Sequence, residues 1–239
     1  MNDYKDDNNL DVTNPAPRCP VILMLDTSGS MAGQPLRELQ SGLEQFLKET
    51  SDDETASMSV ELEIITFGGD AEIISAFAPV SDIADAPPTL NAQGSTPLGE
   101  ALKLADSELK ARRRLYKDKG IASYKPWIVL MTDGCPNDDY ESAAASMKSL
   151  GDKGKLQYIG IGIGEEADFD TLREILPERP GPVKLKGFCF KEFFKWLTDS
   201  LKSVSASSVA EQDNVRLGNV TSWADLAGIP VPQEEENAE

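Results

Sequence analysis

Two uninterrupted apolar runs place the strongest constraint on the fold of this chain. Residues 21–25 and 127–131 each consist of five consecutive apolar side chains. A strand with one solvated face alternates apolar and polar residues, whereas a strand buried on both faces is apolar throughout. Doubly buried strands belong to parallel sheets with helices packed on both sides. We therefore predict an α/β domain with three layers, α/β/α.

Helical periodicity in the intervening segments supports this alternation. After Pro35, apolar residues recur at three- and four-residue spacing through Leu47, and the same spacing returns between residues 97 and 116. This spacing marks one face of an α-helix. Further helices are expected near residues 140–152, 168–176 and 190–201, and further strands near 156–163 and 183–185. Consecutive parallel strands need such helical crossovers, so the sheet is predicted to be doubly wound and mostly parallel.

Residues 59–77 interrupt the alternation of strands and helices. Residues 59–67 and 71–77 have the composition of strands and are joined by Gly68-Gly69, a dipeptide that favours a tight hairpin. The two strands of a hairpin are antiparallel, so one of them is expected at an edge of the sheet. Residues 78–95 are rich in Pro, Ala and Asp and are interpreted as a long connection.

The net charge argues against two classes of partner. The chain carries 41 acidic and 23 basic residues, a formal charge of −18, of which residues 1–18 and 205–239 supply −8. The remaining −10 on the body would repel phosphate backbones and anionic lipid surfaces, so we expect neither nucleic acid nor a membrane as partner. The basic stretch from Lys110 to Lys119 is interpreted as a solvated helix end, because cations favour helix C-termini.

The cysteines and the hydropathy pattern predict a cytoplasmic protein. Cys19, Cys135 and Cys189 are odd in number, widely spaced and without a C-x-x-C pair, which fits free thiols in a reducing compartment. Cys135 is expected to be a small buried residue. The first residues are acidic and polar, unlike a signal peptide. No apolar run is long enough to cross a bilayer.

Polar side chains cluster in three segments at the ends of predicted strands and at a helix start. Asp26, Ser28 and Ser30 follow the first apolar run at alternate positions, so their side chains can converge on one point. Thr96 precedes a predicted helix, and Asp133 follows the second apolar run. Open α/β sheets bind their ligands at the carboxyl ends of the strands. Each segment alone also fits a turn or a helix cap, but the three together predict one site.

The predicted site offers only oxygen atoms. Its three hydroxyls and two carboxylates suit one hard cation, Mg²⁺ or Mn²⁺. Two carboxylates balance the charge of a divalent cation only formally, and neutral hydroxyls beside the metal leave it electrophilic. A solvent-facing position on such a metal would accept a carboxylate from another molecule. The residues therefore predict a binding device rather than a reaction centre.

The five residues together resemble the metal-ion-dependent adhesion site of von Willebrand factor A domains: Asp26-x-Ser28-x-Ser30, Thr96 and Asp133. None of these positions departs from the motif. The resemblance implies a six-stranded, mostly parallel sheet with the metal at its upper edge. It also implies that Ser28 and Ser30 hold the ion directly. Asp26 and Asp133 would act directly or through water, and Thr96 would change its role with the ligand-bound state. A Glu or Asp of a partner protein would complete the shell.

Longer sequence segments narrow the resemblance to one group of von Willebrand factor A domains. Residues 20–26, 95–102, 125–134 and 194–197 are similar to the compact bacterial TerY-like group of these domains, which is associated with tellurite resistance and stress. Similarity to that group implies a protein phosphatase and a protein kinase-like protein as binding partners. The resemblance therefore implies a non-catalytic regulatory or scaffolding subunit in a bacterial stress-response, tellurite-resistance-like or phage-defence system.

Composition argues against most catalytic machineries. The sequence contains no histidine, which excludes Ser-His-Asp and Cys-His catalysis and His-ligated zinc. Gly94 and Gly99 have Walker-like spacing, but Glu100-Ala101 stands where Lys-Ser/Thr is required. The enzyme alternative that stays open is a Mg²⁺-dependent phosphohydrolase with Asp26 as its nucleophile.

Two polar segments flank the predicted domain. The sequence divides into a flexible acidic N-terminal segment, a von Willebrand factor A domain and a polar, acidic tail, at residues 1–17, 18–203 and 204–239. The tail contains one apolar island at residues 220–231, around Trp223, Leu226 and Ile229. A disordered terminus needs no such island, so we predict a docking segment, either for a partner or for this domain. A second copy of the chain is another candidate source of the carboxylate that completes the metal shell.

Overall fold

The computed structural model describes residues 10–165, 167–215 and 217–225. The strands within these residues are β1 (Cys19–Asp26), β2 (Val60–Gly68), β3 (Asp70–Pro79), β4 (Trp127–Thr132), β5 (Gln157–Gly162), β6 (Pro182–Leu185) and β7 (Ala224–Asp225). The helices are α1 (Gln34–Ser51), α2 (Glu54–Ser59), α3 (Val80–Asp85), α4 (Leu98–Lys119), α5 (Glu141–Asp152), α6 (Phe169–Ile175) and α7 (Phe190–Ser205).

All seven strands belong to one sheet, in the order β3-β2-β1-β4-β5-β6-β7. Strands β2, β1, β4, β5 and β6 run parallel to one another, and β3 is antiparallel to β2 at one edge. The predicted six-stranded, mostly parallel sheet with an antiparallel edge strand is thus confirmed. The two residues of β7, which lie in the predicted tail, add a short antiparallel strand beside β6.

The sheet separates two apolar cores, and β1 contributes to both. All eight residues of β1 are buried. Val21, Leu23 and Leu25 belong to the core formed with α1 and α7. Ile22 and Met24 point to the opposite face, where they pack with α4, α5 and α6. The continuous apolar run is therefore explained by helices on both faces of a central strand.

Two short helices were not predicted. Helix α2 begins after Asp53, whose carboxylate accepts hydrogen bonds from the Thr55 and Ala56 amides at 3.1 and 2.9 Å. Helix α3 lies in the segment interpreted as a long connection and buries Val80 and Ile83. Both helices have six residues, too short for helical periodicity to stand out in a sequence.

The basic stretch of α4 is not a purely solvated helix end. Arg112 is 4% exposed, and its Nε donates to Glu61 Oε2 at 2.9 Å. The Nε of Arg18, also buried, donates to Glu61 Oε1 at 3.2 Å, and the Tyr116 hydroxyl donates to the same carboxylate. A buried arginine requires such an opposite charge. Glu61 lies on β2, 51 residues before Arg112, a separation that no local sequence pattern spans.

The domain extends beyond its predicted limits at both ends. Residues 10–17 were predicted to belong to a flexible segment, but Leu10 is fully buried and the Asp11 carbonyl accepts a 2.8 Å hydrogen bond from Arg18 Nη2. At the other end, the Tyr124 hydroxyl donates to the Ser207 carbonyl at 2.8 Å. These contacts attach residues on both sides of the predicted 18–203 domain to its body.

All three cysteines, Cys19, Cys135 and Cys189, are free thiols, as predicted from their number and spacing. Cys135 is exposed, contrary to the buried position predicted for it, because it lies in the loop after β4. No helix within the described residues is both long and apolar enough to cross a membrane.

The buried Glu63 makes the stability of the fold depend on pH. Burial, with the charge of Glu108, raises the pKa of the Glu63 carboxyl from 4.5 to about 8. The unfolded chain releases this proton at lower pH, so the folded state loses stability as pH rises from 4.5 towards 8. Glu63→Gln should remove a decrease of roughly 3–4 kcal/mol in the unfolding free energy between pH 5 and 8. Urea denaturation at the two pH values measures it.

Glu108→Gln is the matched control. It removes the neighbouring charge but keeps the buried carboxyl, so the pKa of Glu63 should fall and the pH dependence should shrink without disappearing. An unchanged pH dependence in Glu63→Gln would show that the Glu63 side chain ionises normally in the folded protein.

Candidate metal-binding site

Asp26 is the buried anchor of the candidate site. It is the last residue of β1 and is fully buried. Its Oδ1 accepts a hydrogen bond from the Ser28 amide at 2.8 Å, and its Oδ2 accepts one from Thr132 Oγ1 at 2.5 Å. The first bond fixes the turn that follows β1, and the second joins this turn to the end of β4. The carboxylate therefore holds two neighbouring strand ends in register.

A line of oxygen atoms leads from this anchor to the surface. Ser28 Oγ lies 3.0 Å from Ser30 Oγ. Ser30 Oγ in turn donates to Asp133 Oδ1 at 2.8 Å. Ser28 is 2% exposed, whereas Ser30 is exposed and Asp133 half-buried. The side chains that the sequence predicted to converge from the loops after β1 and β4 thus meet at one surface.

Thr96 reaches the same place from a third loop. It is 8% exposed, and a Cβ built on Gly134 would lie 3.5 Å from its Oγ1. Backbone hydrogen bonds hold this loop against the first one, from the Gly29 amide to the Gly94 carbonyl at 3.0 Å. Gly94 has a φ of 63°, and a Cβ there would lie 2.4 Å from Gly69 Cα. Only glycine permits both the conformation and the close approach.

The spacing of these oxygens fits a divalent cation. The Ser28–Ser30 and Ser30–Asp133 oxygen distances are 3.0 and 2.8 Å. Neighbouring ligands around an octahedral ion with bonds of about 2.1 Å are about 3.0 Å apart. Among the residues described, no group of three or more His, Cys, Asp or Glu side chains could hold a metal. A cation at this surface would contact hydroxyl as well as carboxylate oxygens.

Burial raises the pKa of both carboxyl groups of the site. For Asp26, hydrogen bonds from Ser28 and Thr132 oppose the effect of burial, and the charge of Asp133 adds to it. For Asp133, the hydrogen bond from Ser30 opposes the effect of burial. A nearby cation stabilises carboxylates whose hydration is poor. The two groups thus favour occupation by a cation, and protonation would compete with it.

Comparison with known proteins identifies the family. The family model of the von Willebrand factor type A domain matches residues 21–194. This chain belongs to that family. The uncharacterized protein sll0103 of Synechocystis sp. is 28% identical over 166 residues, which make up 68% of this chain and 36% of that protein. The chain thus spans about a third of the length of this relative.

Solved structures share the von Willebrand factor A fold at low sequence identity. Proximal thread matrix protein 1 from the mussel byssus, with a zinc-occupied MIDAS motif, is 19% identical with a TM-score of 0.57, over 80% of this chain and 47% of that one. A von Willebrand factor type A protein from Catenulispora acidiphila is 17% identical with a TM-score of 0.56, over 79% and 43%. The manganese-loaded TRAP protein of Plasmodium vivax is 20% identical with a TM-score of 0.50, over 76% and 73%.

Of the three predicted partner-binding residues, Trp223 is the one that the structure describes. Trp223 is 1% exposed and packs against Phe193 and Trp196 of α7, with ring centroids 5.1 and 5.5 Å away. Of the two docking modes that the sequence left open for this tryptophan, the structure shows docking on its own domain. Leu226 and Ile229 lie outside the described residues.

Two further residues make contacts on the loops of the site, and neither was assigned to the site from sequence. Thr132 donates to Asp26 as described, and the Asp138 carboxylate accepts hydrogen bonds from the Gly99 and Glu100 amides at 2.8 Å each. The sequence signal for the Asp138 contact was Pro97, which occupies the N-cap position of α4 and has no side-chain acceptor for the first helical amides.

Thr132→Val tests the anchoring of Asp26, because valine keeps the shape of threonine without its hydroxyl. We expect the metal-free protein to lose about 1.5–3 kcal/mol of unfolding free energy at pH 8, the range for a hydrogen bond to a charged group. The pKa of Asp26 should rise further without this donor. The loss should shrink at pH 5, where more of the carboxyl is protonated. Urea denaturation in the presence of chelator measures the loss of unfolding free energy at pH 8 and at pH 5.

Thr50→Val provides the control. The Thr50 hydroxyl is buried and lies 3.2 Å from Thr198 Oγ1, a neutral partner, so its loss should cost the same at both pH values. An equally pH-independent loss in Thr132→Val would contradict an ionised Asp26 in the metal-free fold.

Proposed function

We propose that this chain is a non-catalytic protein-interaction module whose binding depends on one divalent cation, Mg²⁺ or Mn²⁺. The observation that carries the proposal is the chain of side-chain oxygens from Ser28 through Ser30 to Asp133, with Thr96 beside it on a third loop. The residues that would hold the ion are Asp26, Ser28, Ser30, Thr96 and Asp133. A bound ion would supply a positive centre to which an external carboxylate can bind.

The exposure of the site supports binding from outside. Asp26 is fully buried, while Ser30 is exposed and Asp133 is half-buried. The chain thus encloses the inner side of the site and leaves its outer side to solvent. We propose that an acidic side chain of a partner protein, or of a second copy of this chain, binds there.

The geometry disfavours the phosphohydrolase alternative. A nucleophile must approach the reacting atom to about 3–3.5 Å. Asp26 is fully buried, and each of its oxygens already accepts a hydrogen bond from this chain. The Asp26 oxygens are therefore out of reach of a phosphoester in this structure. The same geometry suits a residue that holds the site together.

Two structural relatives support a divalent cation at this position. The mussel byssus protein is described with zinc in its MIDAS motif, and the Plasmodium vivax TRAP protein is described as manganese-loaded. The oxygen-only ligands of this chain lead us to propose Mg²⁺ or Mn²⁺ rather than zinc, which is typically bound through nitrogen and sulfur ligands.

We further propose a regulatory or scaffolding role in the bacterial cytoplasm, with a protein phosphatase and a protein kinase-like protein as partners. The resemblance to the TerY-like group supports a stress-response, tellurite-resistance-like or phage-defence setting. The three free cysteines support a reducing compartment. Co-purification of the chain with a protein phosphatase and a protein kinase-like protein from its native cells would test this assignment.

Ser30→Ala tests the metal site with little risk to the fold, because Ser30 is exposed. We expect the wild type to bind one Mn²⁺ per chain in a calorimetric titration. The variant should bind it more than about tenfold more weakly, the lower limit for losing even a supporting residue. Capture of a protein partner by the wild type should disappear with chelator and in Asp26→Ala/Ser28→Ala.

Ser95→Ala is the matched control. Ser95 is also exposed on these loops, and its carbonyl accepts a hydrogen bond from the Gly69 amide at 2.9 Å. Alanine keeps this carbonyl, so metal affinity should be unchanged. The proposed function is refuted if the wild type shows no saturable binding of Mg²⁺ or Mn²⁺. Partner capture that persists in chelator would show that the metal is not needed for partner binding.

A further inference from the structure

The N-terminus of α4 has no cap of its own. The N-cap residue is Pro97, and no side chain at this position accepts a hydrogen bond. The first amide groups of a helix have no partners within the helix. Gly99 is buried, so water cannot readily replace the missing acceptor. An acceptor must therefore come from elsewhere in the chain.

Asp138 supplies this acceptor from the loop after β4. Its Oδ1 accepts a hydrogen bond from the Gly99 amide and its Oδ2 one from the Glu100 amide, each at 2.8 Å. The two segments touch through their backbones, because a Cβ on Gly99 would lie 2.2 Å from the Asp139 carbonyl oxygen. The contact is thus bidentate and closely packed, and it joins residues 38 and 39 positions apart.

The same contact joins two of the loops that carry candidate metal ligands. Thr96 immediately precedes α4, and Asp133 lies on the loop that contains Asp138. A second bond supports the junction, since the Asn137 amide donates to the Thr96 carbonyl at 3.2 Å. The Thr96 loop and the Asp133 loop are therefore tied to each other beside the site.

We propose that Asp138 is a positioning residue that clamps the Thr96 and Asp133 loops together and so presets the metal site. This inference rests on the proposed metal-dependent function. Asp138 does not need to touch the ion. Its carboxylate also lies at the positive end of the α4 dipole, which favours a negative charge there. Removing a residue that orients metal ligands typically weakens metal binding about 10- to 100-fold.

Mn²⁺ titration of Asp138→Ala and Asp138→Asn tests the clamp. The alanine variant loses both hydrogen bonds, so its dissociation constant should rise about 10- to 100-fold with the stoichiometry of one ion retained. The asparagine variant keeps one carbonyl acceptor and should lie between alanine and the wild type. This graded order distinguishes positioning from a general loss of structure, and the asparagine variant preserves the test if alanine fails to fold.

Two control variants separate the clamp from charge and from helix capping. Asp139→Asn removes the same charge from the neighbouring exposed position, and its metal affinity should stay within about twofold of the wild type, as expected for a screened surface charge. Asp53→Ala removes a carboxylate that caps α2 through the Thr55 and Ala56 amides, next to the start of β2 and away from the site. It should lower stability and leave Mn²⁺ affinity unchanged.

Two outcomes would overturn the inference. One is wild-type affinity in Asp138→Ala, and the other is an equal loss in Asp139→Asn, which would assign the effect to charge alone. If the wild type itself binds no metal, the proposed function fails, and amide exchange in the metal-free protein still decides on the clamp. Exchange at Leu98 and Asn137, which donate to the Thr96 carbonyl, should accelerate in Asp138→Ala, and unchanged exchange would refute the clamp.

Discussion

The buried carboxylate of Asp26 is the interaction on which the upper edge of the sheet depends. An ionised carboxylate without partners in this position would cost several kcal/mol or more. Asp26 obtains its donors from two segments, the Ser28 amide in its own loop and the Thr132 hydroxyl of β4. These bonds set the separation of the two strand ends. The hydroxyls of Ser28 and Ser30 and the carboxylate of Asp133 then line one surface because their loops start from fixed points.

Buried carboxylates have different partners at the two ends of the sheet. At the end opposite the candidate site, Glu61 is paired with the guanidinium groups of Arg18 and Arg112, so its charge is neutralised within the chain. At the upper edge, the hydrogen-bond donors to Asp26 and Asp133 are neutral amide and hydroxyl groups. A cation is the natural partner for two carboxylates held in this way. This difference gives the proposed metal dependence its physical basis.

The features of the fold and site that depend on local sequence patterns could be predicted from the sequence. Continuous apolar runs located the central strands, Gly68-Gly69 located the antiparallel edge, and alternation after β1 placed Asp26, Ser28 and Ser30 on one side. Contacts between distant segments were beyond such patterns. The Glu61–Arg112 pair, the Asp138 cap on α4 and the packing of Trp223 on α7 each join parts of the chain that no periodicity relates. The resemblance to von Willebrand factor A domains predicted the sheet and the site, but it gave no information about these supports.

The central claim is that three loops of this chain bind one divalent cation through oxygen atoms. Anomalous X-ray diffraction from crystals equilibrated with Mn²⁺ tests this claim most directly, because it locates the metal without reference to any partner. We expect one anomalous peak per chain, about 2.1–2.2 Å from the hydroxyl oxygens of Ser28 and Ser30 and beside Asp133, as octahedral oxygen coordination requires. A peak elsewhere, or none at saturating Mn²⁺, would contradict it.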